Sequence, residues 1–480
     1  MESCFSVFMT FDIRVVSTYD PRRCGIATFS RNLITSAINL TAEVDTARVA
    51  AIDKGGLEYF APVDLRIDQH LQASWGKITS SMLAKAAESD RDWLYSIQHE
   101  FGLDGKDGAG DNYARLAEDL SWTRRFKEGR VITLTQLHTV LRNPNDHQRD
   151  ILHRLGESSD ALIVTAASAI DTLASGYDVD PRKIKFIPHG IRTRNPSEHD
   201  RLNVKKELGL EGITLLTTLG LKGPDKGIQF AIPAYAKVVE NSFTDEQRAN
   251  TVYLVAGECH PEFVKADGGK PYAKYMTMME KALGDSNLTY CKVSNLEEFK
   301  GLNLKEQDIV FLDSFLDEKT LLKMYTASNL VVLPYLNKQQ VSSGVLADTI
   351  GSGRVAIVGK SVCSVEMLCD NLIDPDEKGL IGIGDSHACG FLVDPGKFSV
   401  EQIATAIHYA LSEEDARLSM ERRASSKGYV MSQPYVTLDL MRYAEWCRVD
   451  KQTPRGRGRQ FEFNSDSPYA RRVAKLLTAK

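Results

Sequence analysis

Ile213-Thr214-Leu215-Leu216-Thr217-Thr218-Leu219 runs without a break into Gly220-Leu221-Lys222-Gly223-Pro224-Asp225-Lys226-Gly227-Ile228. Seven consecutive aliphatic or β-branched residues suit a strand covered on both faces, because neither side has to meet water. The Gly- and Pro-rich stretch then ends the strand, and an apolar helical pattern begins at Ile228. Strand, turn and helix in that order make half of a βαβ unit. The same alternation recurs on both sides, with short apolar runs at 13–16, 131–134, 161–165, 185–187, 251–256, 308–311, 330–333 and 355–358. Their spacing, with amphipathic stretches between them, predicts α/β architecture with doubly wound parallel sheets.

At 480 residues the chain has room for about two to three domains of about 150 residues. A hydrophobic content of 42% and a charged content of 26% fit ordinary cores. The 59 basic and 64 acidic residues leave a net charge of −5, so no overall positive field recruits nucleic acid or anionic lipid. Any phosphate must be held locally. The eight cysteines have no C-x-x-C spacing and no paired histidines, which predicts reduced thiols and no zinc site. No signal peptide and no membrane-spanning run is expected, and the expected location is cytoplasmic.

A break is expected near 195–203, a polar stretch before the strand at 213–219. The expected division is 1–198 for an N-terminal domain, 199–415 for a C-terminal domain, and 416–480 for helices and a basic tail returning to the N-terminal domain. In that tail Arg455, Arg457, Arg459, Arg471 and Arg472 are the one place where peripheral contact with an anionic membrane would be sought. A solvated tail is the simpler reading.

In such sheets ligands lie outside the carboxyl ends of the strands, where helix N-termini offer free N–H groups. Four loops qualify. Asp20-Pro21-Arg22-Arg23-Cys24-Gly25 follows the first strand and precedes a helix expected from about residue 30. Gly25 there lets the backbone approach an anion, with Arg22 and Arg23 as nearby charge; a tight turn with solvated arginines explains the residues equally. On the second loop Lys222 and Lys226, two lysines four apart in a Gly-rich turn, are expected to form a pyrophosphate clamp. Pro334-Tyr335-Leu336-Asn337-Lys338-Gln339-Gln340-Val341-Ser342-Ser343-Gly344 is the third, where Ser342 or Ser343 caps a helix and, with Gly344, offers hydroxyl and N–H groups to a ligand oxygen. Read alone, it is an N-cap. His99, His138 and His189 each follow or end a strand run, and three histidines in one topological place favour a ligand over packing. His260 and His387 carry no such reading.

The turn at Lys226 does not match G-x-x-x-x-G-K-[ST], no G-x-S-x-G elbow occurs, and Gly351-Ser352-Gly353 precedes a strand instead of following one. Nucleotide hydrolysis, a serine triad and nicotinamide chemistry all recede.

In order, these loops resemble the family 4 glycosyltransferases of the GT-B fold, closest to a bacterial subgroup. The resemblance is carried by Ser17-Thr18-Tyr19-Asp20-Pro21-Arg22-Arg23-Cys24-Gly25-Ile26-Ala27-Thr28-Phe29, by Gln98-His99-Glu100-Phe101-Gly102, and by Leu137-His138-Thr139-Val140 with Asn143-Pro144 and His147-Gln148. It continues through Ile187-Pro188-His189-Gly190-Ile191, Lys226-Gly227-Ile228, Pro334-Tyr335-Leu336 and Ser342-Ser343-Gly344. The motifs span roughly residues 13 to 410.

The resemblance implies two Rossmann-like domains facing across a cleft, with a nucleotide-sugar donor held mainly by the C-terminal one. It implies retaining transfer of a hexosyl group to a hydroxyl of a carbohydrate acceptor, without metal or other cofactor, the donor diphosphate itself taking the acceptor proton. His138 and Lys226 would be the catalytic groups. Gly25, Lys222, Gln339, Ser342, Ser343, Gly344 and Glu366 would bind donor, and His99, Glu100 and His189 would contact acceptor or sugar. The chain also departs from the broader family: two Glu separated by seven positions are replaced by Gln339 and Ala347, and the Arg before the clamp lysine by Leu221. Those losses keep two alternatives open, a retaining glycoside phosphorylase using inorganic phosphate and a non-catalytic protein that binds nucleotide or sugar.

Overall fold

The computed structural model describes residues 11–40, 44–103, 111–123, 130–193, 196–259, 261–369 and 376–452. His260, part of the expected boundary and the basic tail lie outside them.

The described residues build two seven-stranded sheets. The first contains β1 (Phe11–Ser17), β2 (Val44–Asp53), β3 (Val63–Asp68), β4 (Asp92–His99), β5 (Val131–Leu137), β6 (Ala161–Val164) and β7 (Ile184–Phe186), in the order β3-β2-β1-β4-β5-β6-β7. The second contains β8 (Thr214–Leu219), β9 (Thr251–Ala256), β10 (Tyr290–Val293), β11 (Ile309–Leu312), β12 (Leu330–Leu333), β13 (Ala356–Gly359) and β14 (Gly390–Val393), in the order β10-β11-β9-β8-β12-β13-β14. Every strand pairing is parallel. The α/β class and doubly wound topology are thus as expected, and every apolar run named above overlaps a strand, running past it by at most one residue at either end.

Both sheets reverse their direction of growth, between β1 and β4 in the first and between β8 and β12 in the second. At such a reversal the helices following adjacent strands leave on opposite faces, which opens a crevice at the carboxyl ends. The motif-bearing loops after β1, β4, β8 and β12 all begin there.

The chain divides into two compact units, Met1–Gly190 with Gln433–Lys480, and Ile191–Ser432. The dividing residues are Gly190 and Ile191, and the return to the first unit comes at Gln433. The helix Glu414–Val430, expected to join the first unit, packs on Gly344–Gly351 and Ser399–Ser412 of the second. The helix Gln433–Gln452 packs on Gly25–Asn39 and inserts Val436, Leu440, Met441, Tyr443 and Ala444 into the first core beside Ile13, Phe29, Leu33 and Leu134. Each large apolar side chain so buried contributes about 1.5–3 kcal/mol.

Candidate functional site

In the first unit the carboxyl ends of β4 and β5 bring together residues that are forty apart in sequence. His138 is buried, and its Nε2 lies 2.9 Å from Oε1 of Gln98. The Gln98 amide nitrogen donates to Ser96 Oγ at 2.9 Å, which turns the carbonyl oxygen toward His138 and makes Nε2 the donor. Burial, with His189 and His99 nearby, lowers the His138 pKa from 6.5 to about 3. Phe29 meets the His138 ring edge-on at 4.9 Å and the His189 ring at 5.2 Å. His189 Nδ1 lies 2.9 Å from the carbonyl of Gly190. Glu100 accepts a hydrogen bond from Thr139 Oγ1 at 2.7 Å, and burial raises its pKa.

His99 differs from the sequence expectation. It is 0% exposed, both ring nitrogens are without hydrogen-bond partners, and the ring is edge-on to Phe101 at 4.9 Å and Tyr113 at 5.1 Å. Burial lowers its pKa to about 3. A sealed, neutral ring among aromatics does not present itself to an acceptor, so direct sugar contact is corrected to packing beneath His138, whose N–H donates to the His99 carbonyl at 3.1 Å.

Gly25 is the first residue of the helix Gly25–Asn39, which therefore starts earlier than residue 30. Cys24 caps it, its sulfur accepting from the Ala27 N–H at 3.4 Å. A Cβ at Gly25 would meet nothing within 4 Å, so this helix end is open to a ligand. Arg22 is not the expected anion partner. Its Nη1 donates to Gln69 Oε1 at 2.9 Å and to the Ile52 carbonyl at 3.2 Å, tying down the ends of β2 and β3.

In the second unit β8 ends at Leu219, Pro224–Lys226 form one 3-10 turn, and the next helix is Ile228–Ser242. Gly227 joins turn to helix in the left-handed conformation at φ 70°. A Cβ there would lie 1.9 Å from the Pro334 carbonyl oxygen, so the close approach of the β8 and β12 loops requires glycine. The Leu336 N–H donates to the Asp225 carbonyl at 2.9 Å, completing that junction.

Both clamp lysines have acidic partners that the sequence reading missed. Lys226 Nζ is 2.9 Å from Asp225 Oδ2 and 5.1 Å from the Tyr335 ring centre. Lys222 pairs with Asp313, at the end of β11, and its N–H donates to the Glu258 carbonyl at 2.9 Å. Asp313 is 91 residues from Lys222, so no local motif advertises the pair.

Of the two serines, Ser343 is the cap, its Oγ accepting from the Leu346 N–H at 3.2 Å. The Ser342 carbonyl accepts from Gln340 Nε2 at 2.8 Å. Gly344 is exposed at the helix start, and Gln339 is half-buried, its N–H held by Asn337 Oδ1 at 3.0 Å. Ala347 is buried inside Gly344–Gly351. Glu366 is 6% exposed in the helix Val362–Leu368.

Among the described residues no three His, Cys, Asp or Glu side chains converge on a metal position, and no helix is long and apolar enough to cross a membrane. No protein-family model matches the sequence, and no curated protein is significantly similar to it. Solved structures share the fold. HepE of Anabaena in complex with UDP superposes with a TM-score of 0.62 at 12% identity, covering 91% of this chain and 100% of HepE. A Rickettsia africae glycosyltransferase gives 0.60 at 12% identity, over 91% of this chain and 98% of that one. The UDP-forming α,α-trehalose-phosphate synthase of Burkholderia xenovorans, with glucose-6-phosphate, gives 0.58 at 12% identity, over 90% of this chain and 100% of the synthase. These neighbours are glycosyltransferases of GT-B type, and GT-B is the fold of this chain.

Proposed function

We propose that this protein is a retaining glycosyltransferase that moves a hexosyl group from a nucleotide-sugar donor to a hydroxyl of a glycan or small acceptor without a metal ion. The observation that carries the reading is the β8 turn, where Lys226 stands at a topological reversal beside the Gly227–Pro334 junction. That two solved neighbours with this fold carry UDP or are UDP-forming synthases supports it.

Departure of a nucleoside diphosphate places negative charge on the β-phosphate. Lys226, Lys222 and the N–H groups at the Gly344–Gly351 helix start act where that charge grows. The lysines need only trade Asp225 and Asp313 for phosphate oxygens, which keeps both ammonium groups paired and releases two half-exposed carboxylates. In the first unit His138, neutral and oriented by Gln98, serves as a hydrogen-bonding group for the sugar, with Glu100 and His189 at acceptor hydroxyls. No protein nucleophile is required, since the departing diphosphate takes the acceptor proton.

The test is incubation of the purified chain with a panel of nucleotide sugars and simple glycan acceptors, following released nucleoside diphosphate. Turnover is expected with at least one donor and must disappear in His138→Ala. Absence of both turnover and calorimetric donor binding overturns the reading. Phosphate-dependent release of a sugar 1-phosphate would replace it with phosphorolysis.

A further inference from the structure

We propose that a cavity beside Lys222 receives the base of the donor nucleotide and that Asp313 reads it, selecting a base with adjacent N–H donors of the guanine type. This rests on the donor reading above and names the substrate class within it.

The cavity, about 290 Å³, lies in the second unit by the carboxyl ends of β8, β9 and β11. Met276, Met279 and Phe311 supply apolar wall, Tyr275 lines the interior, and the Lys222–Asp313 pair lines it from the strand ends. Glu258, Glu280 and Lys292 also line it, and a cavity that joins apolar wall to polar groups suits a planar heterocycle with polar edges. It adjoins the turn proposed to hold the diphosphate, because Lys222 belongs to both.

Tyr275 is the second, independent sign of a ligand. It is 2% exposed, and its hydroxyl has no hydrogen-bond partner, although buried hydroxyls are rarely left so. Burial, with Cys259, Asp225 and Asp313 nearby, raises its pKa, so the hydroxyl keeps its proton and donates. A ligand acceptor in the cavity would complete it.

Asp313 supplies the complementary acceptor. Lys222 is fixed at its backbone by the Glu258 carbonyl, so only its side chain has to move to meet a phosphate. That exchange frees the Asp313 carboxylate, which can then only accept. Guanine offers a carbonyl oxygen for Tyr275 next to a ring N–H and an exocyclic amine for Asp313. Uracil flanks its single ring N–H with two carbonyl oxygens, one of which would face the carboxylate. Adenine lacks the carbonyl that Tyr275 would meet.

The experiment is calorimetric titration of the full chain with GDP, UDP, ADP and inorganic pyrophosphate, in the native protein, Asp313→Asn and Tyr275→Phe. GDP is expected to bind about tenfold or more tightly than UDP or ADP. Asp313→Asn should erase the preference without weakening pyrophosphate, and Tyr275→Phe, which removes only an unpartnered hydroxyl, should weaken GDP at unchanged thermal stability. Cys259 also lines the cavity, so GDP should slow its alkylation, read by peptide mass spectrometry, while pyrophosphate should not. Equal or tighter binding of UDP or ADP, a preference that survives Asp313→Asn, or alkylation indifferent to GDP overturns the proposal. Binding of pyrophosphate and of all three nucleotides alike sinks this inference alone. Failure of all four to bind sinks the donor reading with it.

Discussion

Lys226 shows how a side chain can be both structurally settled and chemically ready. Its ammonium has Asp225 at 2.9 Å and the face of Tyr335 at 5.1 Å, so it is held in position before any ligand arrives. Lys226→Ala is therefore expected to weaken nucleoside diphosphate binding by about 1.5–3 kcal/mol, the scale of a charge-assisted contact. Calorimetry checks it, and unchanged affinity would remove Lys226 from the site. The buried histidines make a second prediction, on stability. Their pKa values are lowered from 6.5 to about 3. Above about pH 6.5 the ring is neutral in both the folded and unfolded chain, and nothing is gained or lost. As pH falls below that, the unfolded chain takes up protons that the folded one refuses until about pH 3, so stability drops by about 1.4 kcal/mol per pH unit for each ring. At pH 5 that is about 2 kcal/mol per histidine. His99→Phe, placing an apolar ring among Phe101 and Tyr113, should remove one such share. Urea midpoints at pH 7 and pH 5 would show it, and an acid loss of the same size in the variant would contradict the assignment. Much of the candidate site is legible at this scale, since His138, Gly25, Lys226 and Ser343 all stand out through neighbours in sequence. Asp313, Gln98 as partner of His138, and the sealing of His99 are not, because each depends on a contact between distant segments.

Among the elements, the turn from β8 into Ile228–Ser242 is the most constrained. Gly227 combines a left-handed φ of 70° with a carbonyl 1.9 Å from where a Cβ would stand. Gly227→Ala thus meets both backbone strain and a clash with backbone that has no rotamer to yield. A loss of about 3 kcal/mol or more is expected, with a lowered Tm and weakened nucleoside diphosphate binding together. Gly25→Ala, at an open helix start with nothing within 4 Å, should leave Tm nearly unchanged, and a comparable loss at both sites would refute the distinction. The same logic explains which strands the sequence discloses. β8, β9 and β12 lie inside the sheet, covered on both faces, and read as apolar runs. Two of the four edge strands, β3, Val-Asp-Leu-Arg-Ile-Asp, and β10, Tyr-Cys-Lys-Val, keep exposed positions and blend with loops. β2 is diluted by Asp, Thr and Arg in its first half, and β14 is only four residues opening on glycine. Parallel order supplies what pattern cannot, since pairing is decided by which helices cover which face.

For the whole molecule, the decisive feature is that one unit is continuous in sequence and the other is not. Ile191–Ser432 forms a sheet with its own core, in which Leu216, Ile232, Tyr253, Phe311 and Ile407 are all buried. The first unit is completed only when the chain returns at Gln433. Val436, Leu440, Met441, Tyr443 and Ala444 of that last helix are members of its core, and Arg448 places its guanidinium 3.8 Å from the buried carboxylate of Asp92. Without the helix, Phe29, Leu33 and their neighbours would face water, and loss of four large apolar contacts at about 1.5–3 kcal/mol each is comparable to the whole stability of an average domain. A fragment spanning residues 191–432 is therefore expected to fold alone, with a single cooperative urea transition and native-like circular dichroism. A fragment ending at residue 190 should not fold by itself, and adding a peptide covering 433–480 should restore cooperative unfolding in proportion to its concentration. In the intact chain Leu440→Ala should destabilise by about 2–5 kcal/mol and, if unfolding is resolved into two transitions, should move only the one that belongs to the first unit. A cooperative 1–190 fragment, or a Leu440→Ala effect spread equally over both transitions, would show that the last helix does not complete the first core.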